Sequence, residues 1–170
     1  MMKHIASSNS MSSISKLTDE QIQPNAIDVS VDRIFKIDNS SLFEISEEIK
    51  NHRKTNEVVP VEDVYTLEEG SYEVIMQGEI SIAEGEAGWL IARSTLNRNG
   101  IYITSGLYDS NYKGVLAGVL HTNGPIKVKK GTRIAQFLLF NAETDHLYNG
   151  SYGKNSKSDN ERYFNVEDQK

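Results

Sequence analysis

Short apolar runs of period two, cut by turn residues at spacings of roughly 8–12, constrain this chain more than any other feature. Ile27, Val29 and Val31 alternate with Asp28, Ser30 and Asp32. Tyr72, Val74 and Met76 repeat the pattern, as do Ile80 with Ile82 and Ile101 with Ile103. Such a period puts one face of each run in a core and the other toward solvent, which is the signature of a strand. Further strands are expected from residue 89 and over 115–120, 126–128 and 134–140. Glu84-Gly85-Glu86, Asn123-Gly124-Pro125 and Lys130-Gly131 supply turns between them, and Asp109-Ser110-Asn111 has the composition of a hairpin tip. The pattern predicts an all-β sandwich or barrel. Residues 41–53 are expected to hold a short helical or irregular insert.

The ends read differently. Residues 1–16 are rich in Ser, Met and Asn without periodicity, and beyond Tyr148 the chain turns to Gly, Ser, Asn and Lys. The expected layout is a flexible N-terminal arm over 1–18, one β-domain over 19–146, and a flexible C-terminal arm over 147–170 that a ligand orders. A length of 170 residues suits one such domain. With 38% hydrophobic residues, the chain has reason to bury more surface by oligomerising. It has no cysteine, so disulfides, thiolate zinc sites and cysteine nucleophiles are excluded. The four histidines lack metal-ligand spacing. No apolar run approaches the ~18–20 residues of a membrane span, and residues 1–16 lack the pattern of a signal peptide. A cytoplasmic setting with no membrane partner is expected.

Net charge is −6, which argues against a nucleic-acid partner. Its distribution is uneven. Residues 1–85 carry 7 Lys/Arg and 16 Asp/Glu, whereas residues 86–135 carry 7 Lys/Arg and 2 Asp/Glu. A locally basic segment in an acidic chain suits a small polyanion such as a triphosphate, although a plain solvated face has the same composition.

Within that basic segment lie Arg93-Ser94-Thr95-Leu96, then Gly106-Leu107-Tyr108-Asp109-Ser110-Asn111-Tyr112-Lys113-Gly114, then Gly131-Thr132-Arg133-Ile134-Ala135-Gln136. Ala26-Ile27-Asp28-Val29 precedes them. In this order and at these spacings, the four stretches resemble the first four signature motifs of the trimeric dUTPase/dCTP deaminase superfamily. The resemblance covers about residues 20–141. It implies a distorted β-barrel of jelly-roll type, assembled as a homotrimer whose sites draw on more than one subunit. The segment 22–28 and the stretch 148–153 look more like the deaminase branch. That branch carries a proton-shuttling glutamate on the strand after the hairpin, and here the position falls on Val119, which cannot transfer a proton.

By the same resemblance, Asp109 is the general base toward an attacking water, where the plainer alternative is a carboxylate capping a hairpin turn. Tyr112 packs under the deoxyribose and excludes a 2′-hydroxyl, or else simply packs on a neighbouring strand. Gly106 lets the hairpin backbone approach the base, which the family reads mainly through main-chain groups. Ser94, Thr95 and Gln136 offer donors to phosphate oxygens and Arg93 offers charge. Arg133 serves either the phosphates or a tie between subunits. Tyr152 replaces the phenylalanine that stacks on the base, and Lys154, with Ser156 and Lys157, meets the terminal phosphate. Asn111 stands where many relatives have a second Asp. Mg²⁺ is carried by the triphosphate, with no dedicated protein ligands. The implied reaction is hydrolysis of dUTP to dUMP and pyrophosphate. The rivals are a dCTP deaminase, a bifunctional deaminase–dUTPase, and an inactive nucleotide-sensing regulator of the same fold.

Overall fold

The computed structural model describes residues 1–150 and 152–153. In chain order the strands are β1 (Met2–Lys3), β2 (Ser13–Ile14), β3 (Ile27–Ile37), β4 (Glu44–Ile45), β5 (Lys50–Asn51), β6 (Thr55–Glu57), β7 (Val64–Leu67), β8 (Gly70–Ser81) and β9 (Glu86–Ala92). They continue as β10 (Tyr102–Thr104), β11 (Lys113–Thr122), β12 (Ile126–Lys129) and β13 (Arg133–Asn141), with one short helix, α1 (Ser94–Arg98), between β9 and β10.

The strands run β13-β9-β10-β11-β8-β3, and β13 pairs again with β3, which closes an antiparallel barrel of six strands. Full closure removes the open sheet edges at which strands aggregate. Alternation decides which side chains fill it. Val29, Val31 and Ile34 of β3, Val74 and Met76 of β8, Leu90 of β9, Leu116 and Leu120 of β11, and Phe137 of β13 are all buried. The register slips once in each of three pairings: between Val115 and Ala117, between Val31 and Arg33, and between Arg133 and Ala135. Such bulges bend a strand and sharpen its twist, which lets long strands turn the corners of a small barrel.

Three segments differ from the sequence expectation. The N-terminal segment carries two short strands: β1 pairs with Leu139 and Phe140, and β2 pairs with Ile80 and Ser81. Ile14 is buried, but the stronger tie is polar. Glu86, almost fully buried, takes Lys3 Nζ at 2.7 Å on one oxygen and the hydroxyls of Ser10 and Ser12 on the other. Burial pushes the Glu86 carboxyl up, but the Lys3 ammonium and the two hydroxyls outweigh it and hold it below its ordinary value. A Ser-rich composition therefore supplied the donors that solvate a buried carboxylate. Residues 41–53 form neither helix nor irregular coil throughout. They hold the β4–β5 hairpin, whose turn is fixed by Ser46 Oγ accepting from the amides of Glu48 and Ile49. The helix α1 was not expected. Its end is held by Asn99 Nδ2 donating to the Thr95 carbonyl at 2.8 Å. Among the described residues, no helix is long and apolar enough to cross a membrane.

Candidate active site

The loop from β10 to β11 lines a cavity of about 500 Å³. Three of the expected residues meet there: Gly106, Tyr112 and Tyr152. Tyr112 is buried, with its ring edge-on to Tyr108 at 5.3 Å and to Tyr148 at 5.4 Å. Its hydroxyl donates to the Val115 carbonyl at 3.1 Å, so both ring and hydroxyl are fixed. The turn that carries it closes by the Tyr112 amide donating to the Asp109 carbonyl, with Asn111 at φ 72°. Asparagine tolerates that left-handed conformation better than most residues. A Cβ at Gly106 would meet nothing within 4 Å, so its flank is open cavity. Tyr152, 42% exposed, sits at the mouth. Its amide donates to the Tyr148 hydroxyl, and its own hydroxyl lies 3.5 Å from His52 Nε2 of the insert.

Asp109 does not share this cavity. It is exposed and lines an adjacent hollow with Leu107, Ser110 and Glu143. The neighbouring Ser110 is buried and ties the hairpin to β9 through the Glu86 carbonyl at 2.8 Å.

The remaining expected residues form a second group where β9, β13 and β3 run side by side. Gln136 pairs in register with both Asp28 and Ile91, which brings Arg93, at the end of β9, close to them. Asp28 is the hub and is almost fully buried. Gln136 Nε2 donates to Asp28 Oδ1 at 3.1 Å, and Arg93 Nε lies 3.0 Å from Oδ2. That second contact is an ion pair without hydrogen-bond alignment, since Oδ2 has no hydrogen-bonded partner. Arg133 stands 3.6 Å from the same oxygen and donates to the Glu20 carbonyl. Arg93 also donates to the Arg133 carbonyl at 3.1 Å. Ser94 and Thr95 open the first turn of α1 and are exposed. Lys154, Ser156 and Lys157 lie outside the described residues. Among the described residues, then, Gly106, Tyr112 and Tyr152 line one cavity, while Arg93, Arg133 and Gln136 gather at Asp28.

Sequence reasoning gave no role to Asp28, Tyr108 or Glu73. Asp28 was visible only as a member of the first motif. Tyr108 lies inside the Gly106–Gly114 stretch, and its hydroxyl bonds both main-chain groups of Ala117. Glu73 lines the cavity beside Val119, from a strand that carries no motif.

Comparison with known proteins gives the lineage. The dCTP deaminase-like family matches residues 2–142. A deoxyuridine 5'-triphosphate nucleotidohydrolase of Methanocaldococcus jannaschii is 30% identical over 87% of this chain and 97% of its own. A protein of Methanopyrus kandleri, named a probable deoxyuridine 5'-triphosphate nucleotidohydrolase, is 31% identical over 81% of this chain and 91% of its own. Among solved structures, the 2'-deoxycytidine 5'-triphosphate deaminase of Agrobacterium tumefaciens superposes with a TM-score of 0.57 at 16% identity. That match covers 75% of this chain and 42% of the longer one, and is a likeness of fold. With the barrel closed as the motifs implied and the family match running over most of its length, the chain belongs to the dCTP deaminase-like family.

Proposed function

We propose that this protein is a dUTP diphosphatase, hydrolysing dUTP to dUMP and pyrophosphate. The observation that carries the reading is the cavity itself: Gly106 leaves room beside the hairpin, Tyr112 offers a fixed aromatic wall for a sugar, and Tyr152 stands at the mouth. The names of the archaeal relatives support the same substrate. Water attacks the α-phosphorus, Asp109 takes its proton, and the bond to the bridging oxygen of the β-phosphate breaks with pyrophosphate leaving. Arg93, Ser94, Thr95 and Gln136 steady the phosphate oxygens.

None of these lies among the described walls of the cavity, so the proposal includes a homotrimer in which one subunit's cavity faces another's phosphate group. Exposure of Asp109, Ser94 and Thr95 supports it. Among the described residues, no three Asp, Glu or His side chains converge. Asp28 is already engaged by Arg93 and Gln136. In the proposed reaction Mg²⁺ enters on the triphosphate, held by its oxygens and water. A cytoplasmic setting, with neither a nucleic-acid nor a membrane partner, belongs to the same reading.

The family name favours deamination as a second reading. Val119, 39% exposed on the cavity wall, cannot shuttle the proton that deamination requires. The test is incubation with Mg²⁺ and each of dUTP, dCTP, dTTP and UTP, with products separated by chromatography. Release of dUMP and pyrophosphate from dUTP is expected, and ammonia from dCTP would establish the second reading instead. Asp109→Asn is expected to keep nucleotide binding and lose nearly all turnover. An unchanged rate would remove Asp109 from the reaction.

A further inference from the structure

The cavity and the hollow that holds Asp109 share a wall: Leu107 and Tyr148 line both. Leu107 belongs to the β10–β11 loop, whereas Tyr148 comes from the chain that follows β13. Its contacts fix it there. Its amide donates to the Ser110 carbonyl at 2.9 Å, in the turn that carries Asp109. Its half-buried ring stands edge-on to Tyr112 at 5.4 Å. Its hydroxyl accepts from the Tyr152 amide at 3.1 Å.

Gly150 shows how closely the chain returns to that ring. A Cβ there would stand 2.5 Å from both Cζ and the hydroxyl oxygen of Tyr148, so the backbone passes the end of the ring as only glycine allows. The chain thus comes back to the Tyr148 hydroxyl at Gly150 and again at Tyr152. The second tie on Tyr152 is weaker. Its own hydroxyl lies 3.5 Å from His52 Nε2, at the outer limit of hydrogen bonding, and both residues are exposed to competing water. The main-chain bond is the firmer hold, because it fixes the backbone from which the Tyr152 ring projects to the cavity mouth.

We propose that Tyr148 is a positioning residue of this site, whose hydroxyl holds the Tyr152 backbone so that the Tyr152 ring covers a nucleoside in the cavity. The inference rests on the proposed function in taking the cavity as the nucleoside site of dUTP. The two hydrogen bonds of Tyr148 can be separated by chemistry. The bond to Ser110 is made by the main chain and survives a change of side chain, so the turn with Asp109 keeps its tie when the hydroxyl is removed. Loss of the hydroxyl should therefore loosen the nucleotide before and during the chemical step alike, which raises KM and spares kcat.

Tyr148→Phe keeps the ring and removes only the acceptor. The test is calorimetric titration of the full-length variant with the non-hydrolysable α,β-imido analogue of dUTP and Mg²⁺, beside steady-state hydrolysis of dUTP. Affinity is expected to fall, and KM to rise, by about three- to tenfold, the worth of one net hydrogen bond. The fall in kcat should stay below about twofold. In a Tyr152→Ala background the ring is gone, so adding Tyr148→Phe should weaken binding by less than about twofold more. Losses that multiply would mean that Tyr148 acts by another route, and would overturn the proposal, as would a loss confined to kcat. If Tyr148→Phe does not fold, Gly150→Ala carries the test, since its methyl group displaces the same ring end and should imitate the loss of the hydroxyl. Unchanged affinity in the variant, with the wild type binding, overturns the positioning role alone and leaves the proposed function standing. Failure of the wild type to bind overturns both.

Discussion

Glu86 is the residue where pH and structure are most directly linked. Its carboxyl is held below the ordinary value of 4.5 by Lys3, Ser12 and Ser10 in spite of burial. A depressed folded-state value means that the ionised form adds stability above the unfolded value. That contribution is lost as pH falls through the depressed one. The N-terminal segment is therefore expected to loosen on acidification below about 4.5, with hydrogen exchange at the β1 and β2 amides rising first. Glu86→Gln leaves Lys3 without its counter-charge and is expected to cost roughly 1–3 kcal/mol at neutral pH. The gap to wild type should close in acid, as read by urea denaturation at both pH values. A gap that stays constant would mean that shape, not charge, docks the segment. Little of this was legible in the sequence. The acceptor sits 74 residues or more from every donor that holds it, and nothing local in Glu84-Gly85-Glu86 says that the last carboxylate turns inward. Asp28 was hidden in the same way, since Gln136 lies 108 residues further along the chain. Tyr112 and Gly106 were legible because the motif that names them is contiguous, and one turn places both.

At the scale of elements, alternation told strands from loops because the barrel has one wet face and one dry one. It could not show where register slips, since a bulge moves one residue without disturbing the average pattern. α1 was missed because five residues are too few to show a helical period. Two glycines beside the cavity separate packing from vacancy. A Cβ on Gly118 would stand 2.8 Å from the Thr104 carbonyl oxygen, so β10 and β11 approach there as only glycine allows. Gly118→Ala is expected to cost about 1–3 kcal/mol by forcing the two strands apart. Gly106→Ala, facing open space, should leave stability within about 0.5 kcal/mol of wild type. Chemical denaturation of the two variants side by side checks both. Equal losses would mean that the two backbones are not held as described.

For the whole molecule, what matters is that the described walls of the Gly106–Tyr112 cavity do not include Arg93, Ser94 or Gln136. If a homotrimer joins them, the two halves of each site come from different chains, and two inactive variants can repair each other. Gly106→Phe is a suitable first partner, because the ring would fill a cavity flank that nothing else occupies. Ser94→Glu is the second: an exposed position at which an added negative charge repels the phosphates without disturbing the core. Each variant alone is expected to hydrolyse dUTP poorly. Co-expressed and allowed to mix at random, they should regain about a quarter of wild-type activity, since half the cavities and half the phosphate groups are intact and they combine independently. The wild-type mass by light scattering should be three times that of the 19.1 kDa chain. Recovery at that level with that mass requires sites shared between neighbours. A single-chain mass with full turnover, or a trimer whose mixed forms stay inactive, would mean instead that each barrel completes its own site, with an arm or loop carrying phosphate-binding groups to the cavity.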